Sequence, residues 1–521
     1  MRAVPMRLRP RLAPSTLLLC STLLLSAPVS RAETPAAPQR APAPGGAPVA
    51  EAPTAPAPTT AQEPASAQVE QEPAPASVAR EPTSVSVTKE SVPVAAAAAQ
   101  EAAPAAAPVP AALSRARPQI ETFLTAYGEL LFGYHNYGLN QNRTGGAQRD
   151  SRLEFDTTRL VVEMKGTLPE YGLEVEAEVE FEHGGTGSAM ELEYEEFGEF
   201  DQELDKGGEI LVEELFISKK LGQDASLAVG RFYVAVGTLS EFSRPTDYLG
   251  TVRDEAETGI IPNTWDEMGL RLRYRFPWGL RLTGQLVNGL DSTGFSSQLW
   301  AVGGHQRRFE VQRATDMALV FRADVTHFDG FIFGVSAYRG DTTRNRPKPD
   351  LVKACEDAND REVAPCGYVS APLTLLDAHL SVRKGRWSAK GLVMYGHLKN
   401  AELVSQRNAR LSNLLGVMRT PVSDNALAAW GEVGYDIAGV VGLSDAHHLF
   451  PFVRYDYVDT QFKPRVELYD NPRFRRQIYT VGVAYNLLNT VYAKLDFGHR
   501  RLGSDVFRPE NTLRLATGFN Y

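Results

Sequence analysis

Residues 173–182 read LEVEAEVEFE, with a glutamate at every second position and Leu173, Val175, Ala177, Val179 and Phe181 between them. A period of two is the strand period, so one face of this segment is apolar and the other is wholly carboxylate. A strand of a soluble sandwich turns its apolar face to a core and mixed polar residues to water. A strand of a membrane barrel turns its apolar face to lipid and its polar face to a wet lumen. The surrounding sequence decides between the two.

The chain starts with an export pattern. Arg2, Arg7, Arg9 and Arg11 precede a short apolar run from Thr16 to Ala27, and Ser30-Arg31-Ala32 follows. Residues 1–32 therefore read as a secretory signal peptide, too short for a spanning helix; an uncleaved N-terminal anchor is the alternative. Residues 33–118 are rich in Ala, Pro and Glu and contain no aromatic residue. Such a segment cannot bury enough apolar surface to offset its ordering entropy, so a disordered periplasmic linker is expected. Cys20 leaves with the signal, and the remaining cysteines, Cys355 and Cys366, are expected to form one disulfide across an acid-rich loop. Closing that loop should stabilise it locally by about 2–3 kcal/mol. Thiol labelling of the unreduced, unfolded protein should find no free thiol; two free thiols would contradict the bridge.

From residue 119 to 521 the composition changes to alternating runs of Val, Leu, Gly and aromatic residues. About sixteen candidate strands, each roughly ten residues long, fit the length a tilted spanning strand needs. Their connections alternate. Short ones lie at 168–172, 222–225, 277–279, 329–330 and 384–386. Long ones lie at 184–208, 238–265, 291–313, 341–372, 399–424 and 461–474. Short turns at one end and long loops at the other mark a transmembrane antiparallel β-barrel, with periplasmic turns and external loops. The expected fold is all-β.

In a barrel the five carboxylates Glu174, Glu176, Glu178, Glu180 and Glu182 line the lumen, where they stay hydrated. Arg159 and Lys165 on the preceding strand share that face. Arg231 and the row Arg271, Arg273, Arg275 and Arg281 are expected to line the wall farther round. Opposed acidic and basic walls make a transverse field that filters charged solutes; simple solvation of both rows is the alternative. The loop from Thr238 to Trp265 carries Phe242, Tyr248, Leu249, Ile260 and Ile261, more apolar surface than a loop in water should expose. It is expected to fold inward, with Arg244 or Arg253 docked on the glutamates, Glu180 and Glu182 being the nearest. The acidic stretch 189–205 reads as a solvated external loop.

The final strand, NTLRLATGFNY, ends on Tyr521 and resembles the last strand of bacterial outer-membrane porins. The segments GRFYVAVGTLSEFSRPTDYL (230–249), ETGIIPNTWDEMGLRL (257–272) and GQLVNGLD (284–291) resemble the phosphate-selective porin O/P family. The resemblance implies a sixteen-stranded barrel, often a homotrimer, embedded in outer-membrane lipid and passing small ionic solutes, anions such as phosphate among them. It also implies that Tyr521 is read by the barrel-assembly machinery, and that the third long loop narrows the pore. Phosphate preference in that family rests on ladders of arginine and lysine; here acidic strands stand beside basic ones. The net charge of −9 argues against a nucleic-acid partner. No cofactor and no metal site is expected. Scattered histidines without a Gly-x-Ser-x-Gly motif give no reason to expect an enzyme. A structural anchor, with a plugged barrel and a working tether, remains the second function class.

Overall fold

A computed structural model describes residues 120–138, 151–184, 188–193, 201–206, 210–306, 311–346, 351, 367–411 and 418–521. The expected signal peptide (1–32) and linker (33–118) lie outside these residues. In chain order the strands are β1 (Glu121–His135), β2 (Arg152–Leu168), β3 (Leu173–Glu182), β4 (Ser188–Glu193), β5 (Asp201–Lys206), β6 (Ile210–Leu221), β7 (Ala225–Tyr233), β8 (Asp266–Arg275) and β9 (Leu280–Asn288). They continue with β10 (Met317–Val325), β11 (Phe331–Gly340), β12 (Leu373–Lys384), β13 (Trp387–Leu398), β14 (Asn425–Tyr435), β15 (His447–Asp459), β16 (Arg475–Leu487), β17 (Val491–Leu502) and β18 (Glu510–Asn520). Among the described residues two α-helices, α1 (Glu255–Thr258) and α2 (Ala401–Asn408), lie in loops.

Sixteen strands close into an antiparallel barrel, each pairing with its neighbours in sequence; β4 and β5 form a separate hairpin between β3 and β6. The ring closes where β1 meets β18, from Tyr127 opposite Asn520 to His135 opposite Thr512. Closure leaves no unpaired edge, which is what a sheet in lipid requires. Alternation supplies the outer surface: Leu215, Ile217, Val229, Leu270, Leu272, Leu319, Phe321, Val393, Val453, Val481, Leu495 and Leu513 are all exposed on it. A continuous apolar belt of this kind suits hydrocarbon and not water.

One register shift shapes the lumen. Between β3 and β6, Glu178 pairs with Glu214 but Val179 pairs with Val212. Glu213 is the extra residue of a bulge, so Glu213 and Glu214 are both buried while Val212 and Leu215 face outward.

The long-loop end is not an open vestibule all round. Val287, Ala318, Val320, Leu373, Leu375, Leu392, Met394, Ala426 and Ala428, from β9 to β14, face inward and are buried. They join a single apolar cluster with Leu290, Phe295, Trp300, Val404 and Val422 from the loops. Trp300 seals it. Its indole Nε1 donates to the Ser423 carbonyl at 2.8 Å, and its ring lies so close to Gly396 that a Cβ there would meet it at 2.3 Å. Packing loops against this half of the inner wall leaves the other half to water.

Candidate functional site: a charged crevice beside an inserted loop

The segment from residue 234 to 265 leaves the wall after β7 and enters the barrel. The sequence suggests a strand reaching to residue 237, but wall side chains take over the backbone hydrogen bonds sooner. Gln285 accepts from Ala235 N at 2.8 Å, Asp377 accepts from Gly237 N at 3.0 Å, and Arg322 donates to Gly237 O at 2.6 Å. Gly237 adopts φ 69°, a left-handed turn that favours glycine.

The loop then crosses to the wall half-way round the ring. Glu432 on β14 accepts from Leu249 N at 2.9 Å. On β15, Arg454 donates to Val252 O at 2.8 Å, and Asp456 accepts from Glu255 N at 3.1 Å. On β17, Asp496 accepts from both Thr251 N and Thr251 Oγ1 at 2.7 Å. Lys494 Nζ donates to three loop carbonyls, those of Pro245 (2.6 Å), Tyr248 (2.8 Å) and Gly250 (2.8 Å). Glu255, at the start of α1, takes Arg476 Nη1 at 2.9 Å and Arg500 Nε at 3.0 Å. Burial alone would raise the Glu255 pKa, but the charges of Arg500 and Arg476 outweigh it and bring the carboxyl below its ordinary value. Beneath the loop's apolar side, Ile260, Ile261 and Trp265 are buried in the same cluster as Trp300.

Space stays unfilled on both sides of the loop: a cavity of about 320 Å³ lies between Phe242 and Asp247 of the loop and Ile332, Ser381, Arg383 and Lys390, and a crevice lies between the loop and the arc β1–β3, β6–β8. Toward the long-loop end lies a cavity of about 490 Å³ lined by Glu129, Arg159, Glu180, Glu182, Arg253 and Arg500 among others. Toward the short-turn end lies one of about 200 Å³ lined by Glu176, Glu214, Tyr233, Glu241, Arg271 and Arg273 among others.

The residues expected on the wall are placed as follows. Lys165 meets Glu174 at 2.8 Å and Glu176 at 3.6 Å. Glu178 accepts from the Tyr127 hydroxyl at 3.4 Å. Arg159 stands 3.9 Å from Glu180 and donates to the Ser243 carbonyl of the loop at 2.6 Å. Arg271 lies over the Phe216 and Phe232 rings, 4.5 and 4.6 Å from their centroids, and 3.7 Å from Glu214. Arg281 bridges Glu241 of the loop at 3.0 Å and Asp324 at 3.4 Å. Arg275 is exposed at the short-turn end.

Three expectations differ. Arg231 stands in register with Leu215 and Met268, both exposed on the outer face, and its guanidinium meets Asp266 rather than the lumen row. Arg244 docks on Glu163 of β2, at 2.5 Å, not on the β3 glutamates. Arg253 donates within the loop, to Asn263 Oδ1 at 2.9 Å and Ser243 O at 3.1 Å. Arg159 already occupies the place beside Glu180, which leaves the loop arginines to other partners. Cys355 and Cys366 lie outside the described residues. Of the stretch 189–205, residues 189–193 and 201–205 lie in the paired strands β4 and β5, and the residues between them lie outside the described residues.

The loop's main anchors, Lys494, Arg454, Arg476, Arg500 and Arg322, lie on distant strands, and only the inward parity of segments such as FVRYDYV (452–458) and YAKLDFG (492–498) hints at them. Of the histidines, His379 is buried between Asp377 at 2.7 Å and Asp324 at 2.9 Å. Ser336 beside it donates to Asp377 rather than to the imidazole, so this group is a fastening beneath Gly237 and not a serine–histidine pair.

No family model matches the chain, and no curated protein matches it. Several solved structures of outer-membrane channels are similar in fold. The outer membrane channel DcaP of Acinetobacter baumannii is 7% identical, over 78% of this chain and 98% of that one, with a TM-score of 0.45. An anion-selective porin from Comamonas acidovorans is 9% identical, over 77% of this chain and 100% of that one, with a TM-score of 0.44. OmpF of Salmonella typhi, solved with daunomycin, is 14% identical, over 76% and 97%, with a TM-score of 0.42.

Proposed function

We propose that the chain is an outer-membrane porin, a channel for passive diffusion of small charged solutes, as its resemblance to the phosphate-selective porin O/P family implies. The observation that carries this reading is the inserted loop. It narrows the barrel without filling it, and the crevice it leaves is lined by ionisable side chains from both wall and loop. A lumen meant only as a plug has no reason to keep carboxylates and guanidiniums beside cavities of this size, because buried charge is costly unless hydrated or paired. In this reading the long loops are external, the short turns and linker are periplasmic, and the apolar belt faces lipid. A homotrimer and recognition of Tyr521 by the assembly machinery belong to the same proposal.

The second reading, a structural anchor with a closed barrel, draws support from the apolar loop packing under β9–β14. Conductance of the purified chain in planar bilayers separates the two: open steps support the porin, and a folded but silent barrel supports the anchor.

A further inference from the structure

A small pocket lies where the loop between β15 and β16 returns to the wall. Asn471 Oδ1 accepts from Arg473 N at 3.2 Å, and Pro472–Phe474 form a single 3₁₀ turn in which the Arg473 side chain is buried. Arg473 is 4% exposed. Its Nε and Nη2 meet no hydrogen-bond acceptor among the described residues. The Nε of Arg476, also buried, is in the same condition. Both guanidiniums line a cavity of about 10 Å³, room for one occupant about the size of a water molecule or a halide ion. Arg500 and Glu510 line it too, and Phe474 and Leu502 make it partly apolar.

The charges around this cavity do not cancel. Arg500 donates from Nη1 to Glu510 Oε2 at 2.6 Å and from Nε to Glu255 Oε2 at 3.0 Å. Arg476 donates from Nη1 to Glu255 Oε1 at 2.9 Å and from Nη2 to the Gln298 carbonyl at 3.0 Å. The two carboxylates are engaged by these two arginines, and Arg473 is a third guanidinium. Burial lowers its pKa to about 10, which still leaves it charged at neutral pH. Glu510 Oε1 is buried without a donor, but drawing Arg473 onto it would move the surplus charge and not remove it. A buried charge without a partner is costly, and a water molecule offers it a dipole but no countercharge. One monovalent anion supplies both. A space of this size excludes phosphate, sulfate and carboxylates.

We propose that the cavity is a halide site, in which a chloride ion accepts from Arg473 Nε and Nη2 and from Arg476 Nε. The ion fastens the loop between β15 and β16 to the inner wall at β16–β18. Arg476 and Arg500 also line the cavity of about 490 Å³, so the ion enters from the crevice. It is a resident of a side pocket and not a solute in transit, and the site stands whether or not the barrel conducts.

The test has a crystallographic and a solution arm. Crystals of the full chain grown in NaBr and measured at the bromine absorption edge should show an anomalous peak within hydrogen-bonding reach of Arg473 and Arg476. In solution at constant ionic strength, replacing gluconate by chloride should raise the melting temperature by about 1–2 °C and then level off, as one saturable site requires. The variant R473M should lose both the peak and the rise. Heat-modifiable gel migration shows whether it folds; if it does not, the two measurements on the unaltered chain decide. Arg473 found against Glu510 with no bromide between the arginines would overturn the inference. So would a bromide peak without a chloride-specific rise, which is binding at crystal concentration only, or an equal rise in folded R473M. Neither arm reads conductance, so failure here leaves the porin reading as it stands, and a silent bilayer leaves this site as it stands.

Discussion

Deleting residues 243–256 should raise single-channel conductance at least about twofold in a barrel that still folds. This stretch crosses the lumen, and its removal takes away Arg244, Tyr248, Arg253 and Glu255 together. Both ends of the excision stay fixed: Gly237 is held by Asp377 and Arg322, and Ile260 and Ile261 remain in the apolar cluster. Glu432, Arg454, Asp456, Lys494 and Asp496 would lose their loop partners and face water, which suits charged groups better than an empty cavity does. The newly hydrated path would lie along β14–β17 in addition to the present crevice. An unchanged conductance in a folded deletion variant would show that the loop is not what limits flow.

Lys494→Met should release the loop while leaving the barrel closed. Lys494 is 3% exposed and gives its three donors to three backbone carbonyls of the loop. Methionine keeps most of the volume but donates nothing, so those carbonyls lose their common partner. The expected loss of loop docking is about 3 kcal/mol, from leaving buried acceptors unsatisfied. Trypsin should then cut after Arg253, where the unaltered chain resists (Arg244 is followed by Pro245 and is not a tryptic site), and current recordings should become noisier. The strand ladder of β17 uses backbone groups only, so heat-modifiable migration should persist. Equal trypsin resistance in the variant and the unaltered chain would contradict the anchoring role.

Strand reading from sequence succeeded because each strand meets two different solvents. β11, β12 and β13 occupy the expected spans to the residue, at 331–340, 373–384 and 387–398. Their outward residues face an apolar medium and their turns are short, so periodicity and punctuation agree. β7 fell short by four residues, at Tyr233 instead of 237, because Gln285 and Asp377 hold backbone that would otherwise pair in the sheet. The inward turn of the loop was legible in its surplus of apolar residues. Its partners were not, since contacts such as Thr251 to Asp496 join positions 245 apart in sequence. The doubled glutamate at the bulge, Glu213-Glu214, breaks the alternation in ILVEELFIS (210–218), and that break is the local sign of the register shift between β3 and β6. Arg231 misled because a lone arginine in a strand carries no indication of its face until the register with Leu215 and Met268 is known. The apolar inner wall at Ala318, Val320, Leu373 and Leu375 was hidden for the same reason: loops folding back over a strand make both of its faces apolar.

The most direct test of the central claim is the current carried by the purified full-length chain, reconstituted at low density in a planar lipid bilayer. The account predicts discrete, ohmic conductance steps from a barrel shown to be folded by its heat-modifiable migration. A folded barrel that inserts yet leaves the bilayer at its bare resistance would contradict it.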